Sequence, residues 1–188
     1  MTSRPAPDPT GATPPPFIPS APSQELSQFE YALLTLMFGF QSWSEACMEA
    51  AGYRGLQALD ILTLHAVNHR ARARRQADIC MVLNIDEPHR VAYALKKLVA
   101  AGLVGATLIG RQRHYETTSE GEAACLAYRR IREAHLVPQL SWVASREGAL
   151  ADATGLLSTM TALYAQSGRL ATAASAGLPK SPPLRTKR

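Results

Sequence analysis

The sequence predicts a mainly α-helical protein with a small β-hairpin wing, the fold class of a winged helix-turn-helix flanked by N- and C-terminal helices. Three observations predict it. Residues 75–101 hold two apolar helical patterns separated by a tight turn. Two short strand-like runs around a glycine follow them. Further apolar helical patterns lie on both sides, at residues 24–51 and after residue 119.

Composition divides the chain into five segments. Residues 1–23 hold eight of the 13 prolines and are expected to be disordered, because such a segment buries too little apolar surface to offset its ordering entropy. Residues 175–188 form a similar but basic tail. Between the tails we expect a dimerisation helix at 24–54, the winged helix-turn-helix at 55–122 and C-terminal dimerisation helices at 123–174.

Several classes of protein are disfavoured by composition. No apolar run approaches the roughly 20 residues that span a bilayer, and the Pro-rich start lacks the regions of a signal peptide. The spacing of Cys47, Cys80 and Cys125 indicates neither a disulfide framework nor a zinc site. We therefore expect a cytoplasmic protein without a cofactor.

The net charge of +5 is unevenly distributed. Residues 1–69 hold two basic and six acidic residues, a net −4, whereas residues 70–115 hold nine basic and three acidic residues, a net +6. The positive charge therefore coincides with the predicted helix-turn-helix. That coincidence favours DNA binding over a solvated basic face.

The first predicted helix, residues 24–51, is apolar around most of its circumference. A helix that buries only one stripe does not show this pattern, so we expect burial on two sides. Another subunit would cover the second side most simply, which predicts a homodimer. The alternative is the central helix of a monomeric bundle.

The second predicted helix, residues 56–68, offers an apolar core face. His65 and His69 lie four residues apart, as two metal ligands can. No cysteine or further histidine lies at a supporting spacing. We therefore favour a histidine pair at the edge of the solvent and expect no metal.

Residues 75–83 and 88–101 form the predicted helix-turn-helix. Asn84 suits the left-handed conformation of the turn, and Glu87 is expected to cap the second helix, with Pro88 at its first position. The residues expected to face inward from the first helix are Ile79, Cys80, Val82 and Leu83.

The second of these helices has a predicted core face and a predicted DNA-facing side. Arg90 can bind guanine O6 and N7, and His89 and Tyr93 can donate to bases or phosphates. Lys96 and Lys97 are suited to phosphates, which position a protein without specifying sequence. The residues expected in the core are Val91, Ala94, Leu95 and Leu98.

A strand at 103–109 and a return strand at 114–117 enclose the predicted wing loop, residues 110–114. Its arginines suit a narrow minor groove, where negative potential is concentrated. Thr118 or Ser119 is expected to cap the next helix. The complete predicted DNA-binding set is His89, Arg90, Tyr93, Lys96, Lys97, Arg111, Arg113, His114, Arg74 and Arg75.

Three stretches carry a resemblance to a known family: residues 84–86 (NID), 98–104 (LVAAGLV) and 115–121 (YETTSEG). On these, the chain resembles the MarR family of bacterial winged-helix regulators over about residues 56–132. The resemblance implies a homodimer joined through its terminal helices and bound to a pseudo-palindromic operator in double-stranded DNA. It usually implies repression, released by a small phenolic or lipophilic ligand or by oxidation.

The wing departs from the family pattern. The Asp-x-Arg tip is replaced by Gly110-Arg111-Gln112-Arg113, the wing is shorter, and Thr117 stands where a leucine is usual. The fold expectation is unaffected, whereas the detailed wing contact is not carried over.

The resemblance also suggests how the protein would respond to a signal. A ligand pocket is expected between the first two helices and the winged domain. Cys47 is either a redox switch or, as its apolar helix favours, an inert buried thiol; Cys80 and Cys125 are expected in the core. The residues expected to line the pocket are Phe38, Trp43, Tyr53 and His65.

The predicted function is a dimeric, sequence-specific DNA-binding transcription regulator, most simply a repressor associated with the nucleoid. Helix 88–101 would read the major groove, and wing 110–114 the minor groove or the backbone. The alternative is a winged-helix module that binds protein and not DNA. An enzyme is not expected, because no nucleophile–base set, metal motif or phosphate-binding glycine loop occurs.

Overall fold

The computed structural model describes residues 20–69, 74–141 and 146–175. The predicted tails, residues 1–23 and 175–188, therefore lie almost entirely outside the described residues. Packing divides the chain after Arg129 into two units, each described by itself.

The first unit contains five helices, the last of which continues into the second unit, and three short strands. Among its described residues, the second unit adds a 3-10 turn and a long helix, so the mainly helical fold class with a small hairpin is confirmed. None of the described helices is long and apolar enough to cross a membrane. The elements are α1 (Ala21–Ala50), α2 (Ala58–Asn68), β1 (Arg74–Arg75), α3 (Gln76–Leu83), α4 (Pro88–Ala100), β2 (Val104–Ile109), β3 (Gln112–Thr117), α5 (Ser119–His135), the 3-10 turn (Val137–Leu140) and α6 (Ala149–Ser175).

Helix α1 begins at Ala21, inside the segment assigned to the Pro-rich tail, and the predicted boundary is wrong there by a few residues. Pro22 lies in the first turn, where its missing N–H has no helical acceptor to lose. The helix ends before Gly52, whose φ of 95° is the left-handed conformation of a C-terminal stop. Tyr53 N–H then donates to the Met48 carbonyl over 2.9 Å.

The core of the first unit lies between α2, α3 and α4. The predicted core face of α4 is confirmed, but α3 buries only Ile79 and Cys80. Val82 was expected to face inward, but it is 53% exposed. Leu83 is half-buried. The fully buried apolar side chains of the three helices are Ile61, Leu64, Val67, Ile79, Val91, Ala94, Leu95 and Leu98.

The turn between α3 and α4 has the predicted geometry. Asn84 takes the left-handed conformation with φ 52° and ψ 46°, and Ile85 N–H donates to the Cys80 carbonyl over 2.9 Å. Glu87 occupies the N-cap position before Pro88, but its carboxylate makes no capping hydrogen bond. Proline at the first position accounts for this start.

The return strand of the hairpin is longer than predicted, and the turn is tighter. Strands β2 and β3 pair up to Ile109 opposite Gln112, which leaves Gly110 and Arg111 as a two-residue turn. Gly110 has a φ of 63°, the conformation that a type II′ hairpin needs at its first central position. Strand β1, which was not predicted, pairs with β3 through Arg74 opposite Tyr115.

The two longer stretches that carry the family resemblance meet where α4 leads into β2 and β3 leads into α5. Thr118 Oγ1 donates to the Gly102 carbonyl over 2.7 Å and accepts Gly121 N–H over 3.1 Å, so Thr118 is confirmed as the cap of α5. Thr118 N–H donates to the Leu103 carbonyl over 3.2 Å. A Cβ on Gly121 would lie 2.0 Å from the Leu103 carbonyl oxygen, so residue 121 has no room for a side chain.

Candidate nucleic-acid interface

The outer face of α4 carries three side chains that can donate hydrogen bonds. His89, Tyr93 and Lys96 are spaced by four and three residues and are exposed, so they form one stripe along the helix. The stripe lies opposite the buried residues Val91 and Leu98. The structure thus places these three side chains where the sequence predicts, and their contact with DNA stays a prediction.

Arg90 lies beside this stripe and is also exposed. Its Nη1 is 3.6 Å from Oε2 of Glu87, and both side chains are more than half exposed. Exposed ion pairs of this kind contribute little stability. Arg90 can therefore exchange Glu87 for a base or a phosphate at small cost.

Lys97 does not occupy the position that the sequence predicts. Its Nζ binds Oδ2 of Asp60 over 2.5 Å, and the side chains are 33% and 5% exposed respectively. A buried carboxylate needs a partner, because an unpaired charge in the interior is strongly destabilising. We therefore correct the assignment of Lys97 from a phosphate contact to a link between α4 and α2.

The assignment of Arg74 is also corrected, whereas Arg75 is exposed and its contact with DNA stays a prediction. Arg74 is buried, since it shares a sheet face with its register partner Tyr115, and its Nη2 donates to the His69 carbonyl over 3.0 Å. Arg75 precedes α3 and binds Asp78 through Nε and Nη2 at 3.1 and 2.8 Å. This pairing lowers the pKa of the Asp78 carboxyl. Both arginines stabilise the sheet and the start of α3.

The wing presents Arg111 in the turn and Arg113 on β3, both exposed. Arg113 was expected in the loop, but it is paired with Leu108 in the hairpin ladder. His114 is half-buried between Thr107 and Arg75 in the register of the three-stranded sheet. The structure therefore supports two exposed cationic side chains at the wing and places His114 further from the tip.

The comparisons with known proteins agree with this geometry. A family model described as a winged helix DNA-binding domain matches residues 56–121. The predicted winged helix fold is therefore confirmed for residues 56–121. No curated protein matches the chain.

Several solved structures, among them a regulator described as a member of the MarR family, share the fold of this chain. A MarR-family transcriptional regulator from Rhodococcus sp. RHA1 is 19% identical, with a TM-score of 0.56 over 72% of this chain and 94% of that one. The regulator BldR from Sulfolobus solfataricus is 20% identical, with a TM-score of 0.60 over 74% and 99%. CouR from Rhodococcus jostii RHA1, solved with p-coumaroyl-CoA, is 18% identical, with a TM-score of 0.54 over 68% and 88%. The predicted resemblance to the family is confirmed in fold.

An open cleft of about 650 Å³ lies between α1 and α4. At its floor, Ala58 N–H donates to Glu45 Oε1 over 2.8 Å and so attaches the start of α2 to α1. Three side chains that the sequence predicts to contact DNA, those of His89, Arg90 and Tyr93, also border this space. The described lining residues are Gln41, Glu45, Gln57, Ala58, Leu59, His89, Arg90 and Tyr93.

None of the predicted ligand residues is among the described residues that line this cleft, so their role in binding a ligand stays a prediction. Tyr53 donates its hydroxyl hydrogen to Glu120 Oε1 over 2.7 Å, and this hydrogen bond raises the pKa of the phenol. His65 contacts the Tyr128 ring edge-on, with centroids 4.6 Å apart. Phe38 is exposed on α1 and Trp43 is half-buried.

All three cysteines of the chain are buried thiols. Cys47 Sγ donates to the Tyr128 carbonyl over 3.5 Å, inside the packing of α1 against α5. Burial raises the pKa of Cys125 to about 11, which disfavours the reactive thiolate. The burial of Cys47 and its hydrogen bond to Tyr128 therefore favour the interpretation of Cys47 as an inert thiol. In the described ranges, no group of three or more histidine, cysteine or acidic residues could hold a metal ion.

The sequence missed two features of this surface. Asp60 was not predicted to bind Lys97, because the residues lie 37 positions apart and no local pattern connects them. Leu108 and Ile109 were assigned only to the strand and are both exposed at the wing. The sequence does contain a signal for the second feature, which is two successive large apolar residues directly before a glycine turn.

Proposed function

We propose that this chain is a dimeric, sequence-specific DNA-binding regulator of transcription, acting as a repressor in the cytoplasm at the nucleoid. The observation that carries the proposal is the exposed row of donors on α4, on a domain whose family model describes DNA binding. The N-terminal half of such a helix is the part that usually meets base edges. The basic wing beside it supports a second contact in the minor groove or along the backbone.

Two groups of residues have different roles in this proposal. Arg90, His89 and Tyr93 lie in the first two turns of α4 and would read bases in the major groove. Lys96, Arg111 and Arg113 are exposed cations and would neutralise phosphates or line the minor groove. Specificity would depend on the first group, and the salt dependence of binding mainly on the second.

We expect the double variant Arg90→Ala/Arg111→Ala to bind its DNA at least about tenfold more weakly, because one good base contact alone contributes about 1–3 kcal/mol. The slope of log K against log[salt] should also become less negative, by about 0.9 for each phosphate contact that is lost. Mobility-shift titrations of the full chain with DNA from upstream of its own gene, at several salt concentrations, measure both quantities.

Arg54→Ala is the matched control for this experiment. Arg54 is an exposed arginine that pairs weakly with Glu49 and lies outside the proposed interface. Its removal should leave affinity and slope unchanged. A wild-type protein that forms no salt-sensitive complex would overturn the proposal and favour the alternative, a winged-helix module that binds protein.

The dimer is proposed on the exposed apolar residues of the long helices. Tyr31, Leu36 and Phe38 on α1 are exposed within the described part of the chain, as are Leu156 and Leu163 on α6. Exposed apolar surface of this extent marks an interaction site. A second copy of the chain is the partner that a two-fold related, pseudo-palindromic operator would require.

We expect the double variant Leu36→Glu/Phe38→Glu to be monomeric, because each substitution places a charge on the apolar face proposed for the interface. Sedimentation velocity measures the mass of the variant directly. The affinity for the operator should also fall, since its two half-sites would no longer be bound by one dimer. Val82→Glu replaces an exposed apolar residue of α3 and is expected to leave the mass unchanged. A monomeric wild-type chain at micromolar concentration would contradict the proposal.

A small-molecule effector completes the proposed function. CouR, which shares the fold, was solved with p-coumaroyl-CoA. In this chain, the cleft beside α4 offers a place where a bound molecule would contact Arg90 and Tyr93. Binding there would compete with DNA for the same side chains, which is a direct route to release.

A further inference from the structure

The tip of the wing is apolar as well as basic. Leu108 is 73% exposed and Ile109 is 57% exposed, directly before the Gly110–Arg111 turn. Residues that pair across an antiparallel ladder share a face, and successive residues point to opposite faces. Leu108 therefore shares one face with Arg113, and Ile109 shares the other with Gln112.

Neither Leu108 nor Ile109 packs in the core of the domain. The face of Leu108 is the one that carries Val104 and Tyr115, which are buried, but Leu108 extends beyond them. Both faces of the tip thus expose a large aliphatic side chain, next to two exposed arginines. Exposed aliphatic side chains add no stability to a surface hairpin unless another molecule buries them.

We propose that Leu108 and Ile109 form an apolar wedge that the wing buries against the sugar edges of the DNA minor groove, while Arg111 and Arg113 bind the flanking phosphates. The inference rests on the proposed function, since it names what the wing does on the same DNA. Aliphatic side chains are the groups that minor-groove proteins press against and between base steps. The charge of the tip favours DNA as the partner, because DNA is an anion. Arg111 and Arg113 lie next to Leu108 and Ile109, and neither arginine has an ion-pair partner among the described residues.

The tip is suited to side-chain insertion and not to insertion of its backbone. The minor groove of B-DNA is about 6 Å wide, narrower than a two-stranded ribbon. A two-residue turn keeps the tip small, so the side chains of Leu108 and Ile109 can reach the groove walls while the strands remain outside. Pyrimidine–purine steps, which open easily, would be the preferred sites.

The test uses the full chain and a duplex selected by the wild-type protein from a random-sequence pool. Leu108→Asn/Ile109→Thr should reduce affinity about tenfold or more, the effect of leaving one large aliphatic group unburied. The slope of log K against log[salt] should not change, because no charge is removed. Arg111→Gln should instead make the slope less negative by about one. Val99→Thr removes an exposed apolar group from the last turn of α4 and should bind as the wild type does.

Hydroxyl-radical footprinting adds a readout that distinguishes a wedge from a general loss of affinity, since the radical attacks sugars from the minor groove. Wild type should protect a few sugars beside each major-groove contact, and the double variant, at saturating concentration, should lose that protection alone. Thermal unfolding should be unchanged, as both residues are exposed.

The inference would be overturned if the double variant bound DNA with wild-type affinity or still protected the flanking sugars. A changed salt slope in the double variant would also overturn it, because it would mean that Leu108 and Ile109 only position the arginines. Unchanged DNA binding with loss of a protein partner would assign the tip to protein recognition. Failure of the wild type to select any duplex would instead refute the proposed function.

Discussion

Gly121→Ala is expected to destabilise the winged helix domain by at least about 3 kcal/mol, the upper end of what overpacking usually costs. The added Cβ would lie 2.0 Å from the Leu103 carbonyl oxygen, which is backbone and cannot rotate away. To relieve the contact, α5 must move from the start of β2. That movement also breaks the hydrogen bonds of Thr118 to Gly102 and Leu103. Urea unfolding followed by circular dichroism measures the loss.

Gly105→Ala is the matched control for this substitution. Gly105 lies in β2 of the same domain, and a Cβ there would meet only Glu116, at an ordinary 3.9 Å. We expect its free energy of unfolding to stay within about 0.5 kcal/mol of wild type. Equal stability of the two variants would show that α5 and β2 are not as close as described.

Lys97→Ala is expected to lower the free energy of unfolding by about 2 kcal/mol. Removing one partner of a fully buried ion pair costs about 3–5 kcal/mol, and the 33% exposure of Lys97 reduces that cost. The Asp60 carboxylate would remain buried without its cation. DNA affinity should fall because α4 loses one of its contacts with α2, but the salt slope should not change, since Lys97 would contact no phosphate. Urea unfolding and salt-dependent mobility shifts measure the two effects.

Lys96→Ala, one position earlier, should give the opposite pattern. Lys96 is exposed, so its removal should alter stability by no more than about 0.5 kcal/mol. Its loss should make the salt slope less negative by about 0.9, the value of one phosphate contact. Lys97→Arg should restore stability, because the longer cation can still bind Asp60. A changed salt slope in Lys97→Ala would return that lysine to the DNA surface.

Much of the domain could be predicted because its signals are local. The core face of α4 follows from a period of 3.6 residues, the turn from the tolerance of Asn84 for a left-handed conformation, and the start of α4 from Pro88. Thr118 as the cap of α5 is equally local. In each case, the residue type and its immediate neighbours contain the reason for the structure.

The errors share a different cause, which is that the deciding partner is distant in sequence. Arg74 and Lys97 both belong to a basic segment, and only the fold shows that Arg74 is buried beside Tyr115 and that Lys97 is paired with Asp60. Arg113 was assigned to a loop because the tight turn at Gly110 was not predicted. A charge count gives the sign of a surface correctly while including residues that never reach it.

The start of α2 joins two helices that have separate proposed tasks. Glu45 of α1 accepts Ala58 N–H, and two residues later Asp60 binds Lys97 of α4 while accepting Gln57 N–H over 2.9 Å. Three residues of backbone therefore connect the helix proposed for dimerisation to the helix proposed for reading bases. In a dimer, the tilt of α1 would then set the distance between the two copies of α4, and with it the half-site spacing that the protein accepts.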